Sequence, residues 1–179
     1  MELANLGYLK FLISQNVDNL HIKSGIKPEL IAELHGNYTI MKCFDCDTRY
    51  TREEIGWNRQ IHGRGHRNEI SQKNQPKCPK CDGRIISSVI NFNDPMPEKE
   101  MALSKEHTNK CDLMIVVGSS LAVQPAASFP HKAKRNGAKL VIINNDSTPL
   151  DKIADVKIDL QIGDFLPKVV EKLKSFMIN

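Results

Sequence analysis

No run of apolar residues in this 179-residue chain approaches the roughly 20 needed to cross a bilayer. The opening Met1-Glu2-Leu3-Ala4 has no basic flank leading into an apolar core. Neither a membrane span nor a leader is expected, and the chain reads as soluble and intracellular, cytoplasmic or nuclear. It has no block of Lys or Arg either: 25 basic and 21 acidic side chains are interspersed, and the net charge of +4 attracts an acidic partner only weakly. Nucleic-acid binding therefore has no signal of its own, and there is no internal repeat. Cysteine is scarce, with five residues, of which four fall in Cys-x-x-Cys pairs. In a reducing compartment that spacing favours a metal over disulfides. Cys111, alone before an apolar stretch, reads as a small core residue.

What is present suits one main domain with a small satellite: 40% of the residues are apolar, enough for one sizeable core. Lys10 to Ser14, Asp112 to Gly118, Lys139 to Asn144 and, more weakly, Val156 to Ile158 are short apolar runs that predict strands covered on both faces. Helix patterns lie among them at Pro97 to Asn109, Ala126 to Asn136 before Gly137, and Asp164 to Phe176, where Pro167 is tolerable only near the start. Strands alternating with helices predict an α/β fold with a parallel sheet, a partial Rossmann-like one with helices on both faces. Ligands of such sheets bind beyond the carboxyl ends of the strands. Thr39 to Ile90 breaks the rhythm, being polar and rich in Lys and Arg, and reads as an insertion. The expected division is 1–38 with 91–179 as the Rossmann-like domain and 39–90 as a zinc-ribbon module. Within the module, Trp57 to Gln75 shows no apolar period and is expected to be a mobile loop.

Each Cys-x-x-Cys turn presents two thiolates from one tight knuckle, so Cys43/Cys46 and Cys78/Cys81 together could close a tetrahedral site around one structural Zn²⁺. Thirty-one residues separate Cys46 from Cys78, so the intervening loop must bulge outward. Two unconnected redox or core pairs are the plainer alternative. A further set, Cys43/Cys46 with His62 and His66, approximates finger spacing. That set needs both histidines on one helix, and Gly63 and Gly65 between them each cost about 1 kcal/mol of helix stability. The four-cysteine site is preferred, with His62 and His66 as loop residues.

Ser14-Gln15-Asn16-Val17-Asp18-Asn19-Leu20-His21 begins where the first strand ends, delivering amides and a carboxylate to the sheet's carboxyl edge. These groups could hold a carboxamide or a ribose, or simply form an Asx-rich turn capping a helix. His35 before Gly36 could be a base or a turn residue, and Gly118-Ser119-Ser120 a ligand loop or a plain turn. Their order along the chain is more specific than any one of them. Together with Glu33-Leu34-His35-Gly36-Asn37, both cysteine pairs, Val89-Ile90-Asn91-Phe92-Asn93-Asp94, Gly118-Ser119-Ser120-Leu121, Ile143-Asn144, Thr148 and Ala154-Asp155, they resemble the sirtuins, NAD-dependent protein lysine deacylases, over essentially the whole length. The inter-cysteine spacing looks most like the class IV group.

The resemblance implies acyl transfer from lysine to ADP-ribose with release of nicotinamide. Gln15, Asn16, Val17 and Asp18 would line the nicotinamide-ribose pocket, with His35 as the general base. Gly118, Ser119 and Ser120 would meet phosphate or ribose, Asn144, Asn145 and Asp146 the adenosine end, and Gln161 the adenine. Val89, Ile90, Asn91, Phe92 and Asn93 would offer an edge to an acylated-lysine peptide, and the zinc would be structural. The family's first strand, with its Gly-Ala-Gly-x-Ser loop and Asp-Phe-Arg segment, has no counterpart in this chain, and Asn93 stands where Gly is usual. If that position needs positive φ, Asn is the least costly replacement. Three readings follow: a deacylase, an inactive zinc-stabilised binding module, or half of a split enzyme. An uncovered sheet edge also predicts self-association or a complementing chain.

Overall fold

A computed structural model describes residues 1–177. In chain order the elements are α1 (Glu2–Asn5), β1 (Leu12–Ser14), α2 (Leu20–Lys23), β2 (Ile31–Glu33), β3 (Ile40–Cys43), β4 (Arg49–Thr51), α3 (Arg59–His62), β5 (Ile85–Ser87), α4 (Glu98–Lys110), β6 (Leu113–Val117), α5 (Ser128–Arg135), β7 (Lys139–Ile143), β8 (Val156–Ile158) and α6 (Ile162–Met177). Two compact units divide them: Leu12–Met101 forms one, and Met1–Phe11 with the chain from Ala102 onward forms the other. The contact boundaries thus fall at residues 11/12 and 101/102, because the chain leaving β2 is bonded to the cysteine-bearing segment through Ile90 N–H to His35 O (3.0 Å) and Asn37 N–H to Ser88 Oγ (3.1 Å).

In the Leu12–Met101 unit, β1 and β2 pair in parallel, Leu12 opposite Ile31 and Ser14 opposite Glu33. The strand β2 carries no apolar run of its own, since Ile31-Ala32-Glu33 is too short to show a period, and its pairing with β1 is what makes it a strand. An antiparallel sheet of order β4-β3-β5 carries the cysteines. Its core is Met41, Cys43, Ile55, Trp57, Cys78 and Ile85, all buried.

The stretch from Trp57 to Gln75, expected to be mobile, is tied down instead. Trp57 is buried in that core and its indole N–H donates to Gly63 O (3.2 Å), while Asn58 caps α3 by accepting from Gln60 N–H (2.9 Å). Farther along, Gly65 O accepts from Ser87 N–H (2.6 Å), and Glu69 Oε2 accepts from the N–H groups of Gly65 (2.8 Å) and His66 (3.1 Å). Gly65 has φ +74 and an added Cβ would lie 2.8 Å from Trp57 Cζ2, so only glycine lets the loop close onto the indole. The restraints come from polar groups and one aromatic ring, which is why no apolar period announces them.

In the other unit, β6, β7 and β8 form a parallel sheet in that order, Val117 opposite Ile143 and Ile143 opposite Ile158. Val116, Leu140 and Ile142 point to one face and pack with Leu121 and Ala127, beneath α5. At the start of β8, Asp155 accepts from Leu140 N–H (2.8 Å) and from the ammonium groups of Lys134 and Lys139. Those partners, Lys134 foremost, hold its carboxyl well below the usual carboxylate range. Helix α6 begins at Ile162, two residues earlier than its pattern suggested, so Pro167 lies in its second turn, where it lacks the N–H that would bond back to residue 163. Among the described residues, no helix is long and apolar enough to cross a membrane.

Truncating Trp57→Ala should destabilise the Leu12–Met101 unit by about 3–5 kcal/mol, and trypsin should then cut at Arg59, Arg64 and Arg67. A truncated protein as stable and as protease-resistant as the parent would show that the indole is not what anchors this loop.

Candidate functional site

Two parallel strands ending side by side bring the first group of residues together. Leu34 N–H donates to Ser14 O (2.9 Å), so the chain leaving β2 runs beside the chain leaving β1. His35 therefore meets Gln15: its ring Nδ1 lies 3.1 Å from Gln15 O. A carbonyl can only accept, so Nδ1 carries the proton and Nε2 keeps its lone pair, the arrangement a general base needs. The imidazole thus stands beside the start of the Gln15–Asp18 segment, where β1 and β2 end. Asn16 is exposed, and Val17 and Asp18 are half-buried. Asp18 also serves local structure, because Oδ1 accepts from Leu20 N–H (2.9 Å) where α2 begins. The Asx-turn alternative is thus realised here.

The backbone after His35 is held by residues to which the sequence reading gave no role. Gly36 has φ +76, and a Cβ there would lie 2.0 Å from Ser88 O, so the position admits only glycine. Asn37 is 2% exposed. Its amide N–H₂ donates to Asn19 Oδ1 (2.7 Å) and Glu33 Oε1 (2.8 Å), and its oxygen accepts from Thr39 N–H (3.0 Å) and Thr39 Oγ1 (2.8 Å). Ser88 Oγ accepts from Asn37 N–H (3.1 Å) and donates to Asn37 O (2.8 Å). Burial pushes the Glu33 carboxyl up, only partly offset by the Asn37 hydrogen bond.

Directly after Ser88 come Val89, Ile90, Asn91, Phe92 and Asn93. Strand β5 stops at Ser87, so among the described residues this segment is not paired as a strand. It runs past His35 and then turns at Asn91–Asp94, with Asp94 N–H donating to Asn91 O (3.1 Å). Asn93 has φ 71, the left-handed region in which Asn costs least among non-glycine residues. Phe92 is 88% exposed at the tip.

In the other unit, Gly118, Ser119 and Ser120 follow β6, and Asn144, Asn145 and Asp146 follow β7, at the carboxyl ends of adjacent parallel strands. Gly118 N–H donates to Ile143 O (3.0 Å), and Leu121 N–H to Ser119 Oγ (3.3 Å). Asn144 Nδ2 donates to Asp146 O (2.9 Å), closing the second loop. Gln161 is exposed at the start of α6, its carbonyl accepting from Asp164 N–H (3.1 Å).

The four paired cysteines form the metal-binding candidate. Their sulfurs all lie within 4.8 Å of one another, with Cys43 to Cys81 at 3.5 Å and Cys46 to Cys78 at 3.7 Å. Zinc–sulfur bonds of about 2.3 Å at tetrahedral angles need sulfurs about 3.8 Å apart, so the set fits Zn²⁺. His62 and His66 have other work: His62 Nδ1 accepts from Asn58 N–H (3.0 Å), and His66 meets Asn91. The two knuckles are built alike, Lys42-Cys-x-x-Cys46-Asp47 and Lys77-Cys-x-x-Cys81-Asp82. In each, the Lys pairs with the Asp (2.7 and 2.6 Å) and the Asp takes positive φ (54 and 58). This repeated six-residue pattern is present in the sequence and could have been used to match the knuckles. Gly83 lines the cradle, where a Cβ would meet Cys43 Sγ at 2.9 Å and Cys81 Sγ at 3.1 Å.

Charge within the cluster tells the same story. Burial pushes the Cys78 thiol up, but hydrogen bonds from Tyr50 Oη (3.1 Å) and from the backbone N–H groups of Lys80 and Cys81 outweigh it and bring it down to about 6. At Cys81 a hydrogen bond from Gly83 N–H is overcome by the neighbouring Cys46 and Cys43 sulfurs, which push the thiol up to about 12. Four thiolates this close cannot all ionise unless a cation sits among them.

The protein should carry about one Zn²⁺ per chain, lost when Cys43 and Cys78 become Ser; a native, metal-free preparation would refute the site. Tyr50→Phe should leave the fold intact yet release zinc to a chelator about 10–100-fold more readily. Identical chelation curves would exclude a supporting role for the Tyr50 hydroxyl.

Comparison with known proteins matches this chain to one family. The Sir2 family model matches residues 1–125. The NAD-dependent protein deacetylase of Thermodesulfovibrio yellowstonii is 38% identical over 174 residues, 97% of this chain and 63% of that protein. NAD-dependent protein deacetylase 1 of Bradyrhizobium diazoefficiens is 41% identical over 164 residues, 92% of this chain and 60% of that one. NAD-dependent protein deacylase 2 of Archaeoglobus fulgidus is 37% identical over 174 residues, 97% and 64%. This chain thus spans 60–64% of the length of these relatives. Among solved structures, Sir2 bound to acetylated peptide superposes with a TM-score of 0.76 at 32% identity, covering 96% of this chain and 66% of that one. A Sir2 structure with p53 peptide and NAD⁺ gives 0.75 at 32%, covering 96% and 66%. With a family model over residues 1–125 and relatives 37–41% identical over nearly the whole chain, the chain belongs to the Sir2 family.

Proposed function

We propose that this chain acts as an NAD-dependent protein lysine deacylase, transferring an acetyl or related acyl group from lysine to ADP-ribose and releasing nicotinamide. The observation that carries the reading is the His35 ring, bonded through Nδ1 to Gln15 O and thereby holding Nε2 as an acceptor. In the proposed reaction the acyl oxygen of the substrate lysine forms a bond to the ribose carbon as the bond to nicotinamide breaks. Nε2 of His35 then takes a ribose hydroxyl proton as that oxygen bonds to the carbon of the resulting alkylimidate; the bond from this carbon to the lysine nitrogen breaks, the amine leaves with a proton, and water adds, so that the acyl group stays on the ribose. Gln15, Asn16, Val17 and Asp18 line the nicotinamide-ribose pocket. Gly118, Ser119 and Ser120 take the phosphates or ribose, Asn144, Asn145 and Asp146 the adenosine end, and Gln161 the adenine. Val89–Asn93, which lies beyond the end of β5, receives the acyl-lysine peptide by main-chain hydrogen bonds. In this reading 39–90 serves as the zinc module, its metal structural, and 1–38 with 91–179 handles the nucleotide. The protein works in the cytoplasm.

A second reading, self-association or completion by another chain, is favoured by β6. Among the described residues its one strand partner is β7, and Leu113, Ile115 and Val117 on one face are 47%, 42% and 41% exposed. An open edge beside apolar side chains is a surface for strand pairing.

Replacing His35→Ala should lower NAD-dependent deacetylation of an acetyl-lysine peptide by roughly 10²–10⁴, and unchanged turnover would remove His35 as the base. Sedimentation of the parent should show concentration-dependent association that Ile115→Lys abolishes; a parent monomeric at every concentration would exclude the second reading.

A further inference from the structure

We propose that His66, in the loop between the two cysteine knuckles, is a positioning residue for the peptide-binding turn: it holds Asn91 in place and so sets how tightly an acyl-lysine peptide is gripped. The inference rests on the reading of Val89–Asn93 as the peptide-contacting segment.

The turn is closed by its own bonds. Asp94 N–H donates to Asn91 O (3.1 Å), Asn91 N–H donates to Asp94 Oδ2 (3.0 Å), and Asn93 takes positive φ. Those bonds shape the turn without fixing where it points. Orientation comes from outside it, on one side from Ile90 N–H to His35 O (3.0 Å) and on the other from His66, whose Nδ1 lies 2.8 Å from Asn91 Nδ2. Asn91 Nδ2 also lies 3.2 Å from Asp94 Oδ2, a carboxylate that can only accept, so the N–H₂ end of the amide faces both partners. His66 Nδ1 is consequently an acceptor, and the ring proton sits on Nε2.

A strut is useful only if its base is fixed, and that of His66 is. His66 N–H donates to Glu69 Oε2 (3.1 Å), its carbonyl accepts from Arg84 (3.3 Å), and the preceding Gly65 O accepts from Ser87 N–H at the end of β5 (2.6 Å). Arg84 also donates to the carbonyls of Arg67 (3.3 Å) and Glu69. The loop is thus clamped to β5, and its imidazole reaches over to the segment that β5 becomes. A main-chain recognition surface gains affinity from being ordered before the peptide arrives, since otherwise that ordering is subtracted on binding. His66 supplies the order on the side opposite His35.

The test uses the full zinc-loaded chain and a fluorescein-labelled peptide bearing one acetyl-lysine, titrated by anisotropy. His66→Ala should weaken peptide binding about five- to tenfold, the size of one lost hydrogen bond. His66→Gln, whose Oε1 can accept from Asn91 Nδ2, should restore most of it, with zinc content unchanged in both. Nitrogen-15 spectra of the parent should show His66 as the neutral Nε2–H tautomer. Peptide affinity unchanged in His66→Ala, a glutamine variant no better than the alanine one, or an Nδ1–H tautomer would each overturn the proposal. A parent that ignores the peptide while showing the Nε2–H tautomer would instead refute the peptide-site reading, and with it the purpose of the strut, leaving the hydrogen bond itself standing.

Discussion

Much of the Leu12–Met101 unit depends on one buried polar join, Asn37 with Ser88. A buried amide left without partners costs about 1–3 kcal/mol per group, and Asn37 avoids this by using both its N–H bonds and both lone pairs of its oxygen. Such a network has one geometry and admits no sliding. Its main chain is sewn to Ser88 Oγ in both directions. His35 stands two residues before Asn37, and Val89 one residue after Ser88. One join therefore places the imidazole and the start of the Val89–Asn93 segment together. Gly36 completes it, because any side chain there would occupy the space of the Ser88 carbonyl.

The cysteine cluster supports that join from the other end of β5. Strands β3 and β5 carry Cys43 and lead out of the Cys78–Cys81 knuckle, so a metal held by the four sulfurs fixes the register of the sheet that delivers Ser88. A module with a core of six buried residues has little apolar area to stabilise it, and a tetrathiolate ion supplies what the core lacks. Trp57 and the loop to Glu69 extend the same scaffold toward Asn91. The polar insertion is thus the support of the Val89–Asn93 segment as well as a candidate metal site.

Parallel pairing explains where the remaining polar residues fall. In both units the loops leaving the carboxyl ends of neighbouring strands carry the amides, hydroxyls and glycine: Gln15–Asp18 and His35 after β1 and β2, Gly118–Ser120 and Asn144–Asp146 after β6 and β7. Within each unit the parallel strands run the same way, so their exits share that sheet's carboxyl edge.

The order of residues alone revealed the α/β class, four of the strands, the three longer helices, the four cysteines and the family, because apolar periods and Cys-x-x-Cys spacing are local signals that survive without coordinates. The Gly usual at position 93 in the resembled family pointed to the positive φ that Asn93 adopts. Strand β2, the anchored loop around Trp57, the role of Asn37 and the contact of His66 with Asn91 were not legible. Each is a partnership between residues far apart in the chain, satisfying backbone or side-chain polar groups that carry no period. Which polar group meets which is decided when burial removes water as a partner, and that happens only once the chain is folded.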